Sequence, residues 1–320
     1  MKRVRIAVVG AGRLGTYHLQ KLSADPKAEL VGAVDIDAGK REQAAATFKI
    51  RTVRELGELT GLLDAVIIAT PTMHHIRVAE EALAMGCHLL VEKPLAPRSA
   101  EARALIALAA ARHRVLQVGH SERFNPAVAA ALKVADRPRY IVTERLGPFS
   151  GRSTDVDVIL DLMIHDLDIV ASLIPCGLSE VRAVGVPIIT TAIDMASARL
   201  QFEDGAVAQL SAGRASLEPS RKIRLFTVER YVSIDCAKRE VKSVRRLPPD
   251  PSSPWPQIAG EPVEVPAGDP LALQDHDFLE CILEGRKPRV DGAAGLRALE
   301  LAEAVEKALV VPLPGTGPRA

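Results

Sequence analysis

Short apolar runs alternate with longer helical patterns along the first 120 residues. Runs rich in Val, Ile and Leu predict strands at 4–9, 29–34, 65–69, 87–91 and 115–118. Apolar residues at helical spacing predict helices between them, at 16–24, 39–48, 75–85 and 99–112. Such apolar strands, separated by helices of about 10 residues, are typical of a parallel sheet covered on both faces. The pattern predicts an α/β fold with a doubly wound, Rossmann-type domain over residues 1–120.

The pattern changes after Gly119. Strands are predicted at 139–144, 197–202, 206–212 and 222–227, joined by short turns, with a strong helix at 160–173. Closely spaced strands of this kind indicate an antiparallel sheet. We expect an α+β domain over 121–291, in which the proline-rich stretch 247–270 is an irregular surface segment around a short edge strand. A helix at about 292–308 would follow, and 309–320 would be a frayed tail.

Composition indicates an ordinary globular protein of two domains. The 320 residues are 48% hydrophobic and 25% charged, which excludes disordered and fibrous classes. The 41 basic and 40 acidic side chains nearly cancel and aromatic residues make up 3%, so we expect no nucleic acid and no membrane as partner. No uncharged stretch approaches the roughly 18 residues of a membrane helix, and the first apolar run is too short for a signal peptide. The four scattered cysteines fit buried thiols in a reducing compartment, so we expect a cytoplasmic protein.

A glycine-rich segment lies between the first predicted strand and the first helix. Its residues fit the GxGxxG pattern and are Gly10, Ala11, Gly12, Arg13, Leu14 and Gly15. Glycines there let the backbone turn tightly and approach a pyrophosphate at the helix N-terminus. Asp35, at the end of the second strand, is placed to accept hydrogen bonds from ribose hydroxyls. The segment predicts dinucleotide binding, and the carboxylate favours NAD over NADP, with Arg41 the nearest cation that could reverse this preference.

Two further motifs follow later strands of the same domain. They are Thr70-Pro71-Thr72-Met73-His74 and Glu92-Lys93-Pro94. In an open α/β sheet, the carboxyl ends of the strands border the ligand crevice. Lys93 would therefore point towards the nicotinamide, where it could polarise or hold a substrate hydroxyl, although an isolated motif of this kind is more often a surface turn.

The helix predicted at 160–173 contributes a third cluster. Asp161 and His165 are one helical turn apart and would share a face. A histidine, with its ordinary pKa of about 6.5, can take the proton from an alcohol as hydride leaves the carbon. The alternative is a helix-terminal carboxylate beside a half-buried histidine. Asp166 and Asp168 are expected to be a solvated residue and a structural contact.

Histidine pairs could indicate a metal site. They are His74 with His75, and His113 with His120. Adjacent histidines on a helix point in different directions, and no cysteine lies at ligand spacing, so we expect no metal. Hydride transfer from an alcohol requires none when a base and a fixed nicotinamide are present.

Taken in order, these clusters resemble the Gfo/Idh/MocA family of oxidoreductases over nearly the whole chain. The shared features are the nucleotide fingerprint, the TPxxxH and EKP motifs, the DxxxHxxD helix, the Phe-Glu-Asp-Gly turn at 202–205 and the closing helical pair around Gly-Arg-Lys-Pro at 285–288. The resemblance implies an NAD-dependent dehydrogenase acting on CH-OH groups, with Lys93, Asp161 and His165 as the catalytic group. Cofactor contacts are expected from the glycine-rich segment, Asp35 and both motifs, including Thr70, Pro71, His74, Glu92 and Lys93.

The resemblance also has consequences for the domains. It implies that residues 121–291 bind the substrate and form a homodimer or homotetramer through their sheet, and that the last helix packs back against the first domain. The segments 119–126 and 152–157 are similar to the branch that oxidises the 3-hydroxyl of UDP-N-acetylglucosamine, whose product feeds an aminotransferase that makes a diamino sugar for lipid A. Met163 stands where many members have glycine, which argues against a simple polyol substrate.

A nucleotide sugar also needs cations for its diphosphate. Arginine forks match phosphate oxygens, and the candidates, each of which could instead be an ordinary surface charge, are Arg123, Arg152, Arg221 and Lys222. Asn125 could contact a sugar hydroxyl or cap a helix ahead of Pro126.

The expected reaction is the NAD-dependent oxidation of a secondary hydroxyl of a sugar or nucleotide sugar. In it His165 would accept the hydroxyl proton, Lys93 would position and polarise the oxygen, and Asp161 would orient the sugar or the histidine. Two alternatives remain open: another sugar or inositol dehydrogenase, and a non-catalytic protein that senses NAD and a sugar.

Overall fold

The computed structural model describes residues 2–151, 156–249 and 251–312. It separates into two units. The first consists of Met1–Phe124 with Gly268–Leu299, and the second of Asn125–Ala267 with the chain from Glu300 onward.

The first unit is built on a six-stranded parallel sheet. Its strands are β1 Val4–Val9, β2 Ala28–Val34, β3 Arg51–Val53, β4 Ala65–Ile68, β5 His88–Glu92 and β6 Leu116–Gly119. They lie in the order β3-β2-β1-β4-β5-β6, so the direction of winding reverses between β1 and β4. All four residues of β4 are buried, as expected of a strand with helices on both faces. The predicted doubly wound α/β fold is confirmed.

Four helices connect these strands. They are α1 Arg13–Ala24, α2 Ala38–Phe48, α3 His75–Ala84 and α4 Ser99–Ala111. α1 buries Gly15, His18, Leu19 and Leu22, which recur at helical spacing and form the stripe that faces the sheet. The helix bounds agree with the predicted ones to within three residues. The three-residue strand β3 was not predicted, because its Arg-Thr-Val sequence is too short and too polar to show a periodic pattern.

The second unit contains a nine-stranded sheet. Its strands are β7 Tyr140–Leu146, β8 Leu178–Val186, β9 Met195–Phe202, β10 Val207–Gly213, β11 Ser220–Phe226, β12 Arg230–Asp235, β13 Glu240–Arg246, β14 Ile258–Glu261 and β15 Leu309–Val310. Their order is β14-β13-β12-β11-β7-β10-β9-β8-β15. The pairs β7 with β10 and β8 with β15 are parallel, and the others are antiparallel. The predicted mostly antiparallel sheet is thus confirmed, with β14 as the edge strand in the proline-rich stretch.

Two helices of the second unit lie against this sheet. α5 Pro126–Val134 contacts β12 and β13. The segment Ile159–Met163 is one turn of π-helix that contacts β10 and leads directly into α6 Ile164–Leu173. The sequence pattern predicted a single α-helix here, and the wider π turn has no signal in the spacing of apolar residues.

The C-terminal helices differ from the predicted domain division. α7 Pro270–Glu284 belongs to the first unit, although the sequence placed residues up to 291 in the second. The reason is that Phe278 and Leu279 of α7 pack in the same core as Ile6 and Leu19.

The last helix is divided between the two units, and the segment that follows it departs from prediction. The boundary between the units falls inside α8 Gly292–Lys307, whose Gly295 lies against Val118 of β6. Leu309 and Val310, expected in a frayed tail, pair with β8, where Leu309 packs on Gly185.

Candidate active site

The carboxyl end of β1 and the start of α1 form a closely packed turn. Gly10 has a φ of +94°, and a β-carbon there would lie 2.6 Å from the carbonyl oxygen of Ala69. A β-carbon at Gly15 would lie 1.7 Å from the carbonyl oxygen of Gly10. Gly12, the N-cap of α1, has open space where a β-carbon would stand. As a glycine it has no side chain to occupy the first N–H groups of α1, so these can bind a pyrophosphate.

Asp35 follows β2 at the same edge of the sheet. Its Oδ2 accepts a hydrogen bond from the Ala11 N–H at 2.8 Å, and its Oδ1 accepts one from the Asp37 N–H at 2.9 Å. These bonds fix the carboxylate beside the glycine turn. Arg41 donates from Nη1 to the carbonyl oxygens of Asp35 and Ile36, at 2.8 and 2.9 Å. Arg41, the cation that the sequence placed nearest to Asp35, is therefore bonded to the backbone.

A cavity of about 750 Å³ opens at this edge of the first unit. Six predicted cofactor residues line it: Gly10, Gly12, Asp35, Thr70, Pro71 and His74. Its volume is within the range of about 300 to 1,000 Å³ that small-molecule and cofactor sites occupy. The open space at Gly12 fits the pyrophosphate of NAD, and the Asp35 carboxylate fits its ribose. Lys40, Arg54 and Arg77 also line the cavity, and no sequence pattern predicted them.

Arg13 and Leu14 lie on the first turn of α1 and are not among the residues that line the cavity. The Arg13 guanidinium lies over the ring of Tyr17, 5.6 Å from its centroid, and its Nε donates to the Tyr17 hydroxyl at 3.1 Å. Leu14 is exposed on the same turn.

His75 joins the two motif turns. The ring is buried, with Nδ1 2.9 Å from the carbonyl oxygen of Pro94 and Nε2 2.9 Å from that of Thr70. Burial lowers the pKa of His75, so the ring is neutral and donates to one of these carbonyls at a time. Sequence reasoning selected His74, which lines the cavity, and missed the neighbour that fixes the turns.

Glu92 and Lys93 of the Glu-Lys-Pro motif differ in burial. Glu92 is buried, and its Oε1 lies 3.1 Å from His18 Nε2 and 3.2 Å from Gln274 Nε2. Lys93 is half-buried, and its backbone N–H donates to Glu92 Oε2 at 3.3 Å. Glu92, expected to contact the cofactor, therefore lies beneath the turn and supports it. The Lys93–Pro94 peptide bond is cis.

The second unit holds the other two predicted catalytic residues. Asp161 lies in the π turn and His165 in the first turn of α6, and both are half-buried. A π turn changes the angle between side chains four residues apart, so the one-face argument from α-helical spacing does not apply directly. Single π turns occur frequently at functional sites. Met163, in the same turn, is fully buried.

A buried ion pair anchors α6 to the sheet. Arg145 of β7 donates from Nη2 to Asp166 Oδ1 at 2.7 Å and from Nε to Oδ2 at 3.1 Å. The expectation that Asp166 faces solvent was wrong, because its side chain is 2% exposed and has this partner on β7. The pair fixes the helix that carries His165.

The four predicted diphosphate cations have different positions. Arg123 is half-buried in a short helical turn after β6, in the first unit. Arg221 and Lys222 are consecutive in β11, so they point to opposite faces of the sheet. Arg221 is opposite Arg145 in the register and therefore lies on the face that α6 covers. Arg152 lies outside the described residues.

Asn125 caps α5. Its Oδ1 accepts from the Ala127 N–H at 3.1 Å, and its Nδ2 donates to the Cys236 carbonyl oxygen at 3.0 Å. Of the two roles considered for this residue, the cap is the one that the structure displays.

The described ranges hold neither a metal-binding cluster nor a membrane-spanning helix. No group of three or more His, Cys, Asp and Glu side chains in them could hold a metal ion. None of the helices in these ranges has the length and apolar character needed to cross a membrane. The four cysteines are free thiols, and burial raises the pKa of Cys87 to about 11 and of Cys281 to about 12. These two thiols are therefore poor nucleophiles at neutral pH.

Comparison with known proteins agrees with this geometry. The profile of the oxidoreductase family with an NAD-binding Rossmann fold, Gfo/Idh/MocA, matches residues 4–120. The UDP-N-acetylglucosamine 3-dehydrogenase of Acidithiobacillus ferrooxidans is 40% identical over 313 residues, which cover 97% of this chain and 98% of that protein. The chain belongs to the Gfo/Idh/MocA family.

A solved structure of the same relative and a second member of Gfo/Idh/MocA are also similar to this chain. A solved structure of UDP-N-acetylglucosamine 3-dehydrogenase from Acidithiobacillus ferrooxidans superposes with a TM-score of 0.89 at 39% identity, covering 97% of this chain and 98% of that one. The scyllo-inositol 2-dehydrogenase (NAD(+)) of Bacillus subtilis is 32% identical over 234 residues, 67% of this chain and 68% of that protein. As a Gfo/Idh/MocA member, the protein is an NAD-dependent oxidoreductase, which confirms the predicted family, enzyme class and cofactor.

Proposed function

We propose that this Gfo/Idh/MocA enzyme oxidises the 3-hydroxyl group of UDP-N-acetylglucosamine to a ketone. The observation that carries the proposal is the 40% identity, over 97% of the chain, to a UDP-N-acetylglucosamine 3-dehydrogenase. A ketone at that carbon is the substrate an aminotransferase needs, so the product would enter diamino-sugar synthesis of the lipid A type. The four free cysteines agree with a reducing cytoplasm as the location.

The proposed mechanism uses three side chains of this chain. Bound NAD supplies the acceptor for the hydride that leaves the alcohol carbon. His165 accepts the hydroxyl proton, since a neutral imidazole is a good base near pH 7. Lys93 donates a hydrogen bond to the reacting oxygen and stabilises the negative charge that develops on it. Asp161 orients the sugar or His165.

We propose that Arg221 binds the diphosphate of the substrate. Arg221 is preferred to Lys222 because it lies on the face of the sheet that α6 covers. The guanidinium group can bind two phosphate oxygens at once, as a lysine cannot. Asn125 is omitted, because its amide is used in the cap of α5.

The test is NADH formation by the purified protein. UDP-N-acetylglucosamine, UDP-glucose, free N-acetylglucosamine and myo-inositol are supplied separately with NAD, and a hydrazine traps the ketone. We expect NADH with UDP-N-acetylglucosamine alone. Turnover of myo-inositol in its place would support an inositol dehydrogenase, as in the 32% identical relative. NAD binding with no turnover of any sugar would support a sensor.

Matched variants test the proposed roles. Lys93→Ala and His165→Asn are each expected to lower kcat by about 100-fold or more while NAD still binds. Arg221→Ala should raise the KM for the nucleotide sugar, and Lys222→Ala, on the opposite face, should leave it unchanged. Equal effects of the two neighbours would contradict the assignment of the diphosphate to Arg221.

We also propose that the protein is a homodimer or homotetramer through the nine-stranded sheet. The face opposite α6 carries Tyr140, Phe226 and Tyr231, whose ring centroids are 5.6 and 5.0 Å apart along the row. An aromatic stripe on a sheet face is a typical interface core. Light scattering should show that Phe226→Glu produces monomers, whereas Val228→Glu, an exposed apolar residue outside the strands, leaves the assembly intact.

A further inference from the structure

Three ionisable side chains form a buried chain beneath the turn that carries Lys93. His18 of α1 lies between Asp275 of α7 and Glu92 at the end of β5. Its Nδ1 is 2.9 Å from both carboxylate oxygens of Asp275, and its Nε2 is 3.1 Å from Glu92 Oε1. The side chains of His18, Asp275 and Glu92 are 0%, 1% and 7% exposed. All three residues belong to the first unit.

The arrangement requires both ring nitrogens of His18 to donate. Ionised carboxylates only accept hydrogen bonds, and each nitrogen faces one of them. Burial opposes the charge on the ring, but Asp275 and Glu92 outweigh it and raise the pKa of His18 to about 10. Burial also disfavours the charge on Glu92, but hydrogen bonds from His18 and Gln274 hold its pKa below the usual value. Burial raises the pKa of Asp275, and the charge and hydrogen bonds of His18 oppose this shift. With Nδ1 facing Asp275 and Nε2 facing Glu92, the ring is an imidazolium that bridges two carboxylates.

Glu92 connects His18 to the turn that carries Lys93. One of its oxygens is bonded to His18 and Gln274, and the other accepts the backbone N–H of Lys93. A β-carbon at Gly119 would lie 2.5 Å from the Glu92 carboxyl group, so the wall behind it is also fixed. His18 stands three residues after Gly15 on α1, the helix whose first turn faces the pyrophosphate site. One side chain thus connects the cofactor helix with the lysine turn.

We propose that His18 is a positioning residue, which bridges Asp275 and Glu92 so that the Lys93 ammonium is held in the geometry that turnover requires. The proposal rests on the catalytic role proposed above for Lys93. A misplacement of a reacting group by about 1 Å can reduce a rate about 100-fold, so the support beneath the lysine affects kcat directly.

The first experiment separates positioning from folding. In His18→Gln one amide replaces the bridging ring, and Asp275→Asn keeps an oxygen that can still accept the Nδ1–H. We expect kcat of His18→Gln to fall about 10- to 100-fold with the KM for NAD little changed, and Asp275→Asn to lose less. Leu22→Ala is the matched control, because Leu22 is buried on the same helix one turn further along. It should lower Tm and leave kcat, measured well below Tm, unchanged.

A double-variant cycle tests whether the effect acts through Lys93. Once Lys93→Ala is present, His18→Gln should cause little further loss of kcat. The effects of mutations at residues that act through one interaction network do not add. If Lys93→Ala abolishes turnover and His18→Gln leaves kcat intact, the positioning proposal is wrong and the proposed function stands. If Lys93→Ala keeps full turnover, the role of Lys93 is wrong.

A second measurement requires no substrate. Trace labelling with acetic anhydride, read by mass spectrometry across a pH range, compares the reactivity of Lys93 with that of the exposed Lys49 in the same sample. Loss of the imidazolium should change the labelling profile of Lys93 in His18→Gln and not in Leu22→Ala. An unchanged Lys93 profile would overturn the proposal even if none of the four sugars is oxidised.

Discussion

The carbonyl oxygen of Gly10 lies 1.7 Å from the point where a side chain at Gly15 would begin. No rotamer change can relieve that clash, because both groups belong to the backbone framework. We predict that Gly15→Ala destroys the NAD site and lowers Tm by several degrees or prevents soluble expression. Differential scanning fluorimetry with and without NAD measures both effects.

Gly12→Ala is the matched comparison for this turn. A β-carbon at Gly12 meets nothing within 4 Å, so the variant should fold with an unchanged Tm. The added methyl group would stand where the pyrophosphate approaches, and NAD should bind more weakly. A Gly12→Ala protein that binds NAD normally would contradict the placement of the pyrophosphate here.

Asp35 is predicted to set the preference for NAD. Both of its oxygens are held by backbone N–H groups, next to the cavity that Gly10 and Gly12 line. Asp35→Asn keeps the shape of the side chain and removes its charge. We expect the Kd for NAD to rise about 10- to 100-fold, which corresponds to the free energy that a hydrogen bond to a charged group contributes. Repulsion of the 2′-phosphate should fall at the same time, so NADP should bind more tightly to Asp35→Asn than to the wild type. Isothermal titration with both nucleotides checks this, and equal wild-type affinity for the two would refute it.

His18 predicts how stability depends on pH. Its pKa is raised from about 6.5 in the unfolded chain to about 10 in the folded protein. The folded state therefore binds a proton that the unfolded state has lost between these values. Its stabilising contribution is complete below about pH 6.5 and declines up to about pH 10, at no more than about 1.4 kcal/mol per pH unit. Urea unfolding from pH 6 to 10 should show this decline in wild type and a flatter profile in His18→Gln, and parallel profiles would exclude the imidazolium.

The Arg145–Asp166 pair gives a prediction for the second unit. Arg145→Met leaves the Asp166 carboxylate buried without its guanidinium partner, which should cost about 3 to 5 kcal/mol of unfolding free energy. Adding Asp166→Leu removes the uncompensated charge and should recover most of that loss. Chemical denaturation of the two variants measures the difference. A double variant as unstable as the single one would show that packing, not charge, dominates at this position.

Sequence periodicity predicted most elements of the first unit because each is local. The strands β1, β2, β4, β5 and β6 are short, apolar and separated by helices, so their pattern is visible within about 10 residues. The glycine turn and Asp35 were also found from sequence, since a fixed spacing from a strand end places them at the switch point. The polar β3 and the π turn around Asp161 gave no such signal.

Positions that depend on partners elsewhere in the chain were not predictable. Arg221 and Lys222 looked equivalent until the register of β11 against β7 showed that Arg221 is the one on the face that α6 covers. Asp166 looked solvated because its partner Arg145 is on another element.

The sequence by itself determined most of the strand and helix pattern of the first unit and the NAD fingerprint, because each follows from local spacing and backbone sterics. The catalytic roles proposed for Lys93, Asp161 and His165 follow from the family resemblance. Only the tertiary structure decided which side chains support them. His18 and Asp275 are 257 positions apart, and no periodicity relates them. They meet because α7 returns to pack its apolar residues in the core of the first unit, and burial then makes pairing of the two charges obligatory.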